Sequence, residues 1–177
     1  MNGHGSLNYK NGDVYVGSFK NNKKDGNGTF TYTNGNVFVG EYKNDRMDGH
    51  GTFKYSNGNV YKGEYRHNKW DGKGSFTYSH GDKYDGSWKD GKMDGSGVFS
   101  HSNGDKYDGS WKDDYRNGFG TLTIENGDVF SGEWLDGMLT GAGKYQYNNG
   151  DIYEGEFLKG IYNGDGTFSF SNGDVFT

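Results

Sequence analysis

The fold is decided by a stretch such as GHGTFKYSNGNVYKGEYRHNKWD, residues 49–71, because its arrangement recurs along the whole chain. We number the repeat from the first glycine of this stretch as position 1. Positions 1, 3, 10 and 15 are then glycine in every repeat that contains them. Aromatic rings fill most of positions 5, 7, 13 and 17. A fixed internal period is typical of repeat proteins. The period is 23 residues, and the repeats begin at Gly3, Gly26, Gly49, Gly72, Gly95, Gly118, Gly141 and Gly164.

The overall composition follows from this period. Only 29% of the 177 residues are hydrophobic while 34 are glycine, which excludes an ordinary layered globular domain. An aromatic content of 18% is equally unlike a disordered chain. The chain has no cysteine, so disulfides and thiolate metal sites are excluded. No apolar run approaches the length of a membrane-spanning helix.

Each repeat is predicted to be a β-hairpin, because two alternating segments flank a turn pair that is usually Asn-Gly. A three-residue loop at positions 8 to 10, ending in a glycine with positive φ, pairs Phe53 with Tyr61 and Gly51 with Gly63. This register places all the aromatic positions on one face of the sheet. Glycines at positions 3 and 15 then leave room for the rings of adjoining hairpins.

The predicted fold class is therefore all-β. We expect an elongated, single-layer, solenoid-like ribbon of stacked antiparallel β-hairpins, on the order of 70 Å long at about 4.8 Å per strand. The whole chain, residues 1–177, forms a single array without separable domains, and it is expected to be a fragment of a longer array. Seven full repeats begin at residues 3, 26, 49, 72, 95, 118 and 141, and a truncated eighth begins at residue 164.

Segments such as Tyr61–Tyr65 (YKGEY) and Gly86–Gly95 (GSWKDGKMDG) resemble the MORN (membrane occupation and recognition nexus) repeat. The resemblance covers essentially the whole chain. Because no other domain accompanies the repeats, the chain is similar to the all-repeat MORN scaffold proteins of apicomplexan and kinetoplastid parasites. The resemblance implies an extended hairpin ribbon, cytoskeletal or membrane-proximal scaffolding, frequent self-association and a disputed capacity for phospholipid binding.

No motif in the chain predicts a reaction, so the protein is predicted not to be an enzyme and to need no cofactor. Position 6 is never glycine, which excludes a Gly-x-Gly-x-x-Gly phosphate loop. Position 11 is Asp in most repeats but Asn at Asn36 and Asn59, which indicates turn chemistry instead of acid–base catalysis. A zinc site near His80 and His101 is an open alternative to two solvated or stacking imidazoles.

Two columns of the repeat change together along the chain. Positions 18 and 21 are basic in the first four or five repeats and apolar afterwards, and residues 118–177 carry a net charge of −7 against +2 for residues 1–117. Exposed apolar residues repeated along one edge favour an interface. We therefore predict a homodimer formed by the C-terminal repeats; the alternative is that these side chains pack under their own hairpins. The predicted interface residues are Leu135, Met138, Leu139, Leu158, Ile161, Tyr162 and Phe176.

In the first repeats, the basic residues at positions 18 and 21 predict a contact with an anionic membrane surface or headgroup. The alternative is a solvated face, because the same repeats carry almost as many acids and have no amphipathic wedge. A sequence pI near 5.5 argues against nucleic acid as a partner. The nine residues concerned are Lys20, Lys23, Lys43, Arg46, Arg66, Lys69, Lys89, Lys92 and Lys112.

The function predicted from the sequence is a non-enzymatic structural scaffold that self-associates and offers an aromatic face to protein partners of a cytoskeletal assembly. An anionic phospholipid-binding tether is one alternative, and an accessory module of a larger enzyme is another. The expected location is cytoplasmic and cytoskeleton-associated, with possible contact to the cytoplasmic face of a membrane.

Overall fold

A computed structural model describes residues 1–177 and contains strands without a helix. Its sixteen strands form one open antiparallel sheet in which neighbours in sequence are neighbours in the sheet. The prediction of an all-β hairpin repeat is therefore confirmed. The strands are β1 (Gly3–Asn8), β2 (Val14–Lys20), β3 (Lys23–Thr31), β4 (Val37–Lys43), β5 (Arg46–Lys54), β6 (Val60–Arg66), β7 (Lys69–Thr77), β8 (Lys83–Lys89), β9 (Lys92–Ser100), β10 (Lys106–Lys112), β11 (Tyr115–Thr123), β12 (Val129–Leu135), β13 (Met138–Gln146), β14 (Ile152–Leu158), β15 (Ile161–Ser169) and β16 (Val175–Phe176).

The chain divides into two compact units. Unit 1 is Met1–Lys92 and unit 2 is Met93–Thr177. Strands β1 to β8 lie in unit 1, and β10 to β16 lie in unit 2 with nearly all of β9. The two units follow the same repeat, but they differ in their surfaces.

The predicted hairpin register is confirmed in the repeat that begins at Gly49. Strand β5 pairs with β6 so that Gly51 faces Gly63 and Phe53 faces Tyr61. The aromatic positions 5 and 13 thus meet across the hairpin, and the two glycines stand opposite each other. Because successive residues of a strand point to opposite faces, this register collects the rings on one side of the sheet, which we call the aromatic face.

A three-residue loop closes each of these hairpins, as the sequence predicts. In the same repeat the Tyr55 N–H donates to the carbonyl of Asn59 at 2.9 Å, and the Gly58 N–H donates to the carbonyl of Tyr55 at 3.0 Å. Gly58 has φ +90°, in the region that favours glycine. The position-10 glycine has a positive φ in all eight repeats, so the turn is the same along the chain.

A second, two-residue turn joins each hairpin to the next. Asn44 and Asp45 both have positive φ, 49° and 70°, as in a type I′ turn. This turn pairs Lys43 with Arg46, so repeat positions 18 and 21 lie side by side. Residues at these two positions point away from the aromatic face, to what we call the outer face.

A large bulge separates this turn from the glycine pairs. Between the pair Gly40–Gly51 and the pair Tyr42–Met47, three residues of β5 stand opposite a single residue of β4. Gly49 lies in the bulge with φ +113°, which explains the glycine at position 1. The role of this glycine could not be predicted from the sequence, because the bulge has no turn motif of its own.

Aromatic rings lying on paired glycines form the core. Tyr15 is fully buried, and its ring crosses the facing glycines Gly17 and Gly28. A Cβ atom added to Gly28 would lie 2.3 Å from Tyr15 Oη. The edges of Phe19 and Tyr42 meet the Tyr15 ring with centroids 5.2 Å away. The predicted role of the glycines at positions 3 and 15, to make room for rings, is therefore confirmed.

Hydrogen bonds also join the loops of adjacent repeats. At one edge of the sheet, Asp13 Oδ1 accepts from the Thr33 N–H in the next loop at 2.9 Å. At the other edge, the Asp45 N–H donates to the carbonyl of Lys24 at 2.9 Å. The Asp13 bond confirms that position 11 serves backbone bonding, and it extends that role from a single turn to the contact between repeats. The same bond lowers the pKa of the Asp13 carboxyl.

Candidate protein-binding surfaces

The first candidate surface is a row of rings from repeat positions 5 and 7 in unit 1, which we call the aromatic ladder. Successive ring centroids lie 4.5 to 6.1 Å apart, so each ring contacts the next. The four tyrosines at position 7 are half-buried and present one side to solvent. In order, the ladder consists of Tyr9, Phe30, Tyr32, Phe53, Tyr55, Phe76 and Tyr78.

Three tyrosine hydroxyls of the ladder, those of Tyr9, Tyr32 and Tyr55, have a raised pKa and are held in their neutral form. Burial raises the pKa of Tyr32 and of Tyr55, and for Tyr32 the nearby Asp13 carboxylate raises it further. Neutral phenol rings stack without the cost of desolvating a charge. The ladder is therefore suited to apolar or weakly polar contacts with a ligand that lies along it.

A lysine covers the first rings of the ladder. Lys24 Nζ lies 4.7 Å from the centroid of Phe30 and 5.8 Å from that of Tyr9, with Tyr15 and Tyr42 completing a four-ring enclosure. Burial lowers the pKa of Lys24. Lys24 occupies repeat position 22, which pairs with the position-17 aromatic Phe19 and so lies on the aromatic face; no role was predicted for this column from the sequence.

The corresponding rings of unit 2 do not form one continuous row. Leu122 and Ile124 interrupt the aromatic columns, which resume at Tyr145 and Tyr147 with centroids 3.9 Å apart. Tyr145 donates to Asp128 Oδ2 at 2.7 Å, and the hydroxyls of Tyr147 and Tyr162 bond to each other. Because their polar groups are occupied within the unit, these rings are less available than those of the ladder.

The second candidate surface is an apolar patch on the outer face of unit 2, which we call the outer patch. Its side chains come from positions 2, 18 and 21, and strand pairing places Leu135 beside Met138 and Leu158 beside Ile161. Ile161 is 72% exposed and Phe119 is 68% exposed. The patch consists of Tyr115, Phe119, Leu135, Met138, Leu158 and Ile161, all exposed.

The structure divides the predicted interface residues between the two faces. Leu139 is only 3% exposed and lies in the core beside Trp134, so it is not a surface residue. Tyr162 lies on the aromatic face with its centroid 3.9 Å from that of Tyr153. Phe176 is exposed in the terminal strand β16. Tyr115 and Phe119 belong to the outer patch but were not among the predicted interface residues. The signal was present in the sequence, because both replace residues that are polar in earlier repeats.

The third candidate surface is the basic row of positions 18 and 21 on the outer face. All nine predicted residues are exposed, and β-pairing sets like charges opposite each other at Lys20–Lys23 and Lys43–Arg46. In later repeats, ion pairs with acidic side chains partly neutralise the row. Lys112, for example, lies 2.9 Å from Asp94, and this contact raises the pKa of the lysine.

Metal ligands are not assembled anywhere on these surfaces. No group of three or more His, Asp or Glu side chains is placed to hold a metal ion. His80 Nε2 lies 3.3 Å from Asp82, and the ring of His101 packs on Phe99 with centroids 4.6 Å apart. The structure also has no helix long and apolar enough to cross a membrane.

These features define a class of protein: a single-sheet β-hairpin repeat array whose core is made of rings on glycine pairs. The family model described as "MORN repeat" matches the chain from end to end, so the chain belongs to the MORN repeat family. In that model each repeat begins at the position-13 aromatic, half a unit from the glycine frame used above. The matches cover residues 1–14, 15–37, 38–60, 61–83, 84–106, 107–129, 130–152 and 153–175.

Comparison with solved structures finds similar folds at low sequence identity. The TCP domain of Drosophila melanogaster SAS-4 (dCPAP), solved in complex with a proline-rich motif of Ana2 (dSTIL), is 16% identical with TM-score 0.54, covering 98% of this chain and 88% of that one. The Danio rerio CPAP TCP10 domain is 15% identical with TM-score 0.40, covering 99% and 88%. A CPAP G-box domain is 13% identical with TM-score 0.42, covering 98% and 97%. No curated protein sequence matches the chain.

Proposed function

We propose that this protein is a non-enzymatic structural scaffold of a cytoskeletal assembly, which holds an extended, proline-rich segment of a protein partner along the aromatic ladder. The observation that carries the proposal is the continuous row of seven contacting rings in unit 1. Proline-rich segments dock on aromatic-lined surfaces because they are already extended and lose little entropy on binding.

The spacing of the ladder suits a polyproline II helix. One repeat contributes two strands, so equivalent rings recur about every 9.6 Å. A polyproline II helix rises about 3.1 Å per residue with three residues per turn, or about 9.3 Å per turn. The mismatch is about 0.3 Å per repeat and accumulates to about 1 Å from Tyr9 to Tyr78. Every third residue of the partner can therefore meet one tyrosine of position 7.

Other peptide conformations fit the spacing less well. In a β-strand the side chains alternate, so residues on one face recur about every 6.8 Å, which is well below the repeat spacing. Two turns of an α-helix advance about 10.8 Å, which misses the repeat by about 1.2 Å at every step. The complex of the Drosophila TCP domain with a proline-rich motif supports the proposal as an example of this ligand class on a similar fold.

The proposal is tested by fluorescence anisotropy with a labelled peptide that has proline at every third position. We expect Tyr55→Ala to weaken binding about tenfold, as loss of a central aromatic contact typically does. Tyr115→Ala is the matched control, because it removes an exposed tyrosine from the outer face of unit 2. If the wild-type protein does not bind the peptide, or if both variants bind equally well, the ladder is not the partner site.

Self-association through the outer patch is the second part of the proposal. Six exposed apolar side chains lie together on one face of unit 2, and two-fold pairing of identical patches is the commonest way to cover such a surface. The monomer has a mass of 19.7 kDa. Light scattering at micromolar concentration should therefore give about twice that mass.

The matched variants place lysine at two exposed apolar positions, one in each unit. Ile161→Lys should return the mass to that of the monomer, because a charge buried within the contact is costly to desolvate. Val39→Lys changes an exposed valine of unit 1 and should leave the dimer intact. A wild-type protein that stays monomeric, or a dimer unaffected by Ile161→Lys, excludes this interface.

A second candidate function is contact with anionic phospholipid, and the cross-strand cation pairs favour it. Like charges directly opposite each other destabilise a sheet, and an anionic ligand bound across these pairs would offset that cost. Lys20, Lys23, Lys43 and Arg46 form no ion pair within the chain. Co-sedimentation with phosphatidylserine vesicles tests this: Lys43→Gln with Arg46→Gln should reduce binding, whereas Lys54→Gln should not. Equal pelleting of neutral and anionic vesicles would exclude it.

A further inference from the structure

Seven of the eight three-residue loops contain an Asn-Gly pair at positions 9 and 10. Asn-Gly is the dipeptide most prone to spontaneous deamidation, because glycine has no side chain to hinder attack on the preceding amide. The loops differ in the hydrogen bonds that hold the asparagine side chain. This difference should give the loops different rates of deamidation. The seven asparagines are Asn11, Asn34, Asn57, Asn103, Asn126, Asn149 and Asn172.

The reaction needs only water. The backbone nitrogen of the glycine loses its proton and attacks the asparagine Cγ, so that a new C–N bond closes a five-membered imide. The Cγ–Nδ2 bond breaks, and the nitrogen leaves as ammonia after taking up the proton. Water then opens either carbonyl of the imide, giving aspartate or isoaspartate.

All seven loops share two restraints on this reaction. The glycine N–H donates to the position-7 carbonyl at 2.9 to 3.0 Å, which keeps the attacking nitrogen protonated. The asparagine Oδ1 accepts from the position-11 N–H at 2.9 to 3.1 Å, which holds the amide carbonyl away from that nitrogen. Neither bond distinguishes one loop from another.

The third restraint is present in only five loops. Where position 11 is aspartate, the asparagine Nδ2 donates to the carboxylate Oδ2 at 2.8 to 3.1 Å, so the leaving group is held by a charged acceptor. Asn34 and Asn57 face Asn36 and Asn59 instead, and their Nδ2 groups have no such bond. The Oδ1 atoms of Asn36 and Asn59 accept from the next loop, as the aspartates do.

We propose that Asn34 and Asn57 are sites of spontaneous modification, where the folded protein converts asparagine to aspartate or isoaspartate faster than in the other five loops. One additional charge-assisted bond on the leaving group predicts a difference of about tenfold in rate. Both loops carry central rings of the aromatic ladder, Tyr32 and Tyr55. Isoaspartate adds one main-chain atom to the loop, so modification lengthens the turn that positions each ring.

The experiment measures deamidation at each loop of the intact protein by proteolysis and mass spectrometry after incubation at physiological temperature and pH. Incubation in oxygen-18 water separates conversion in the folded protein from conversion during digestion. We expect Asn34 and Asn57 to react about tenfold faster than Asn149. Rates within twofold of one another across the seven loops would overturn the inference.

Exchanging the position-11 residues gives the matched test, because both residues occur naturally at this position. Asn36→Asp should slow conversion of Asn34 about tenfold, and Asp151→Asn should accelerate conversion of Asn149 to a similar extent. In concentrated urea all seven sites should react at similar rates, because the restraints belong to the fold. Exchanges that leave both rates unchanged, or a spread that persists in urea, would refute the role of the carboxylate.

Discussion

Replacing Gly28 with alanine tests directly whether glycine is required beneath the core rings. The added Cβ would lie 2.3 Å from Tyr15 Oη and 2.4 Å from Tyr15 Cε2, so the ring must withdraw by about 1 Å to restore normal contact. Tyr15 cannot swing aside, because it is fully buried between the edges of Phe19 and Tyr42. Overpacking of this kind costs about 1 to 3 kcal/mol. Loss of the Tyr15 hydrogen bond to the Ser18 carbonyl adds about 1 kcal/mol, so we expect about 3 kcal/mol in total.

The chain offers a matched control at the same repeat position. Gly5 also stands at position 3, but no preceding ring covers it, and its Cβ would meet nothing nearer than 3.5 Å. Gly5→Ala should therefore leave the free energy of unfolding unchanged or raise it by about 0.5 kcal/mol, because alanine restricts the unfolded chain. Urea unfolding followed by tryptophan fluorescence measures both variants, with the slope of the transition checked for constancy.

A double variant shows whether the Tyr15 ring is the cause. In a Tyr15→Leu background the space above Gly28 is larger, so Gly28→Ala should cost less than about 1 kcal/mol. If Gly28→Ala destabilises no more than Gly5→Ala, or costs the same with and without the ring, the packing argument is wrong.

Four further predictions concern single polar groups. Tyr65→Phe should leave the free energy of unfolding unchanged or raise it by up to about 1 kcal/mol, because Tyr65 Oη is buried and its interaction with the Trp70 side chain does not reach hydrogen-bond geometry. Tyr61→Phe should lower it by about 1 kcal/mol, because that hydroxyl donates to a carbonyl at 3.0 Å; urea midpoints that move together would contradict both. Trp88→Phe should also destabilise, since its Nε1 donates to a carbonyl at 2.9 Å, and an unchanged midpoint would count against this. The backbone bond from Ser171 lowers the pKa of Asp151, so its stabilisation is complete above the unfolded pKa of about 3.9 and is lost as pH falls through the lower folded value. Asp151→Asn should flatten the fall of the urea midpoint with acidification, and an identical pH profile would refute the linkage.

Much of the fold could be predicted because the spacing of residues within the repeat determines the register of strand pairing. A loop of three residues keeps positions 5 and 13 on one face, so Phe53 had to meet Tyr61 if all rings were to share a core, and the structure confirms this pairing. The glycine of the loop was also predictable, because an L-residue at φ +90° is strained. These inferences needed only the alternation of a strand and the geometry of one turn.

The ladder was harder to predict, because exposure depends on what covers each ring. Tyr15 and Tyr32 look alike in the sequence, yet Tyr15 is fully buried whereas Tyr32 is half-buried. The difference arises from the neighbouring repeats, whose edges enclose position 13 but leave position 7 beside an open loop. A single repeat does not carry the whole signal for this, since part of the cover over Tyr15 comes from Tyr42 in the next repeat.

The predicted interface mixed residues from two faces because it grouped neighbouring apolar residues without regard to strand alternation. Alternation continues through the bulge, since position 22 lies an even number of residues before positions 3 and 5 and therefore shares their face. Met138 and Leu139 are adjacent and both apolar, but Met138 pairs with Leu135 on the outer face whereas Leu139 pairs with Trp134 in the core. Position 22 therefore belongs with the rings, where Lys24, Trp70 and Leu139 fill corresponding spaces with different chemistry. Because this column is the part of the aromatic face that varies most along the chain, it is where otherwise uniform repeats differ most in the chemistry of their packing.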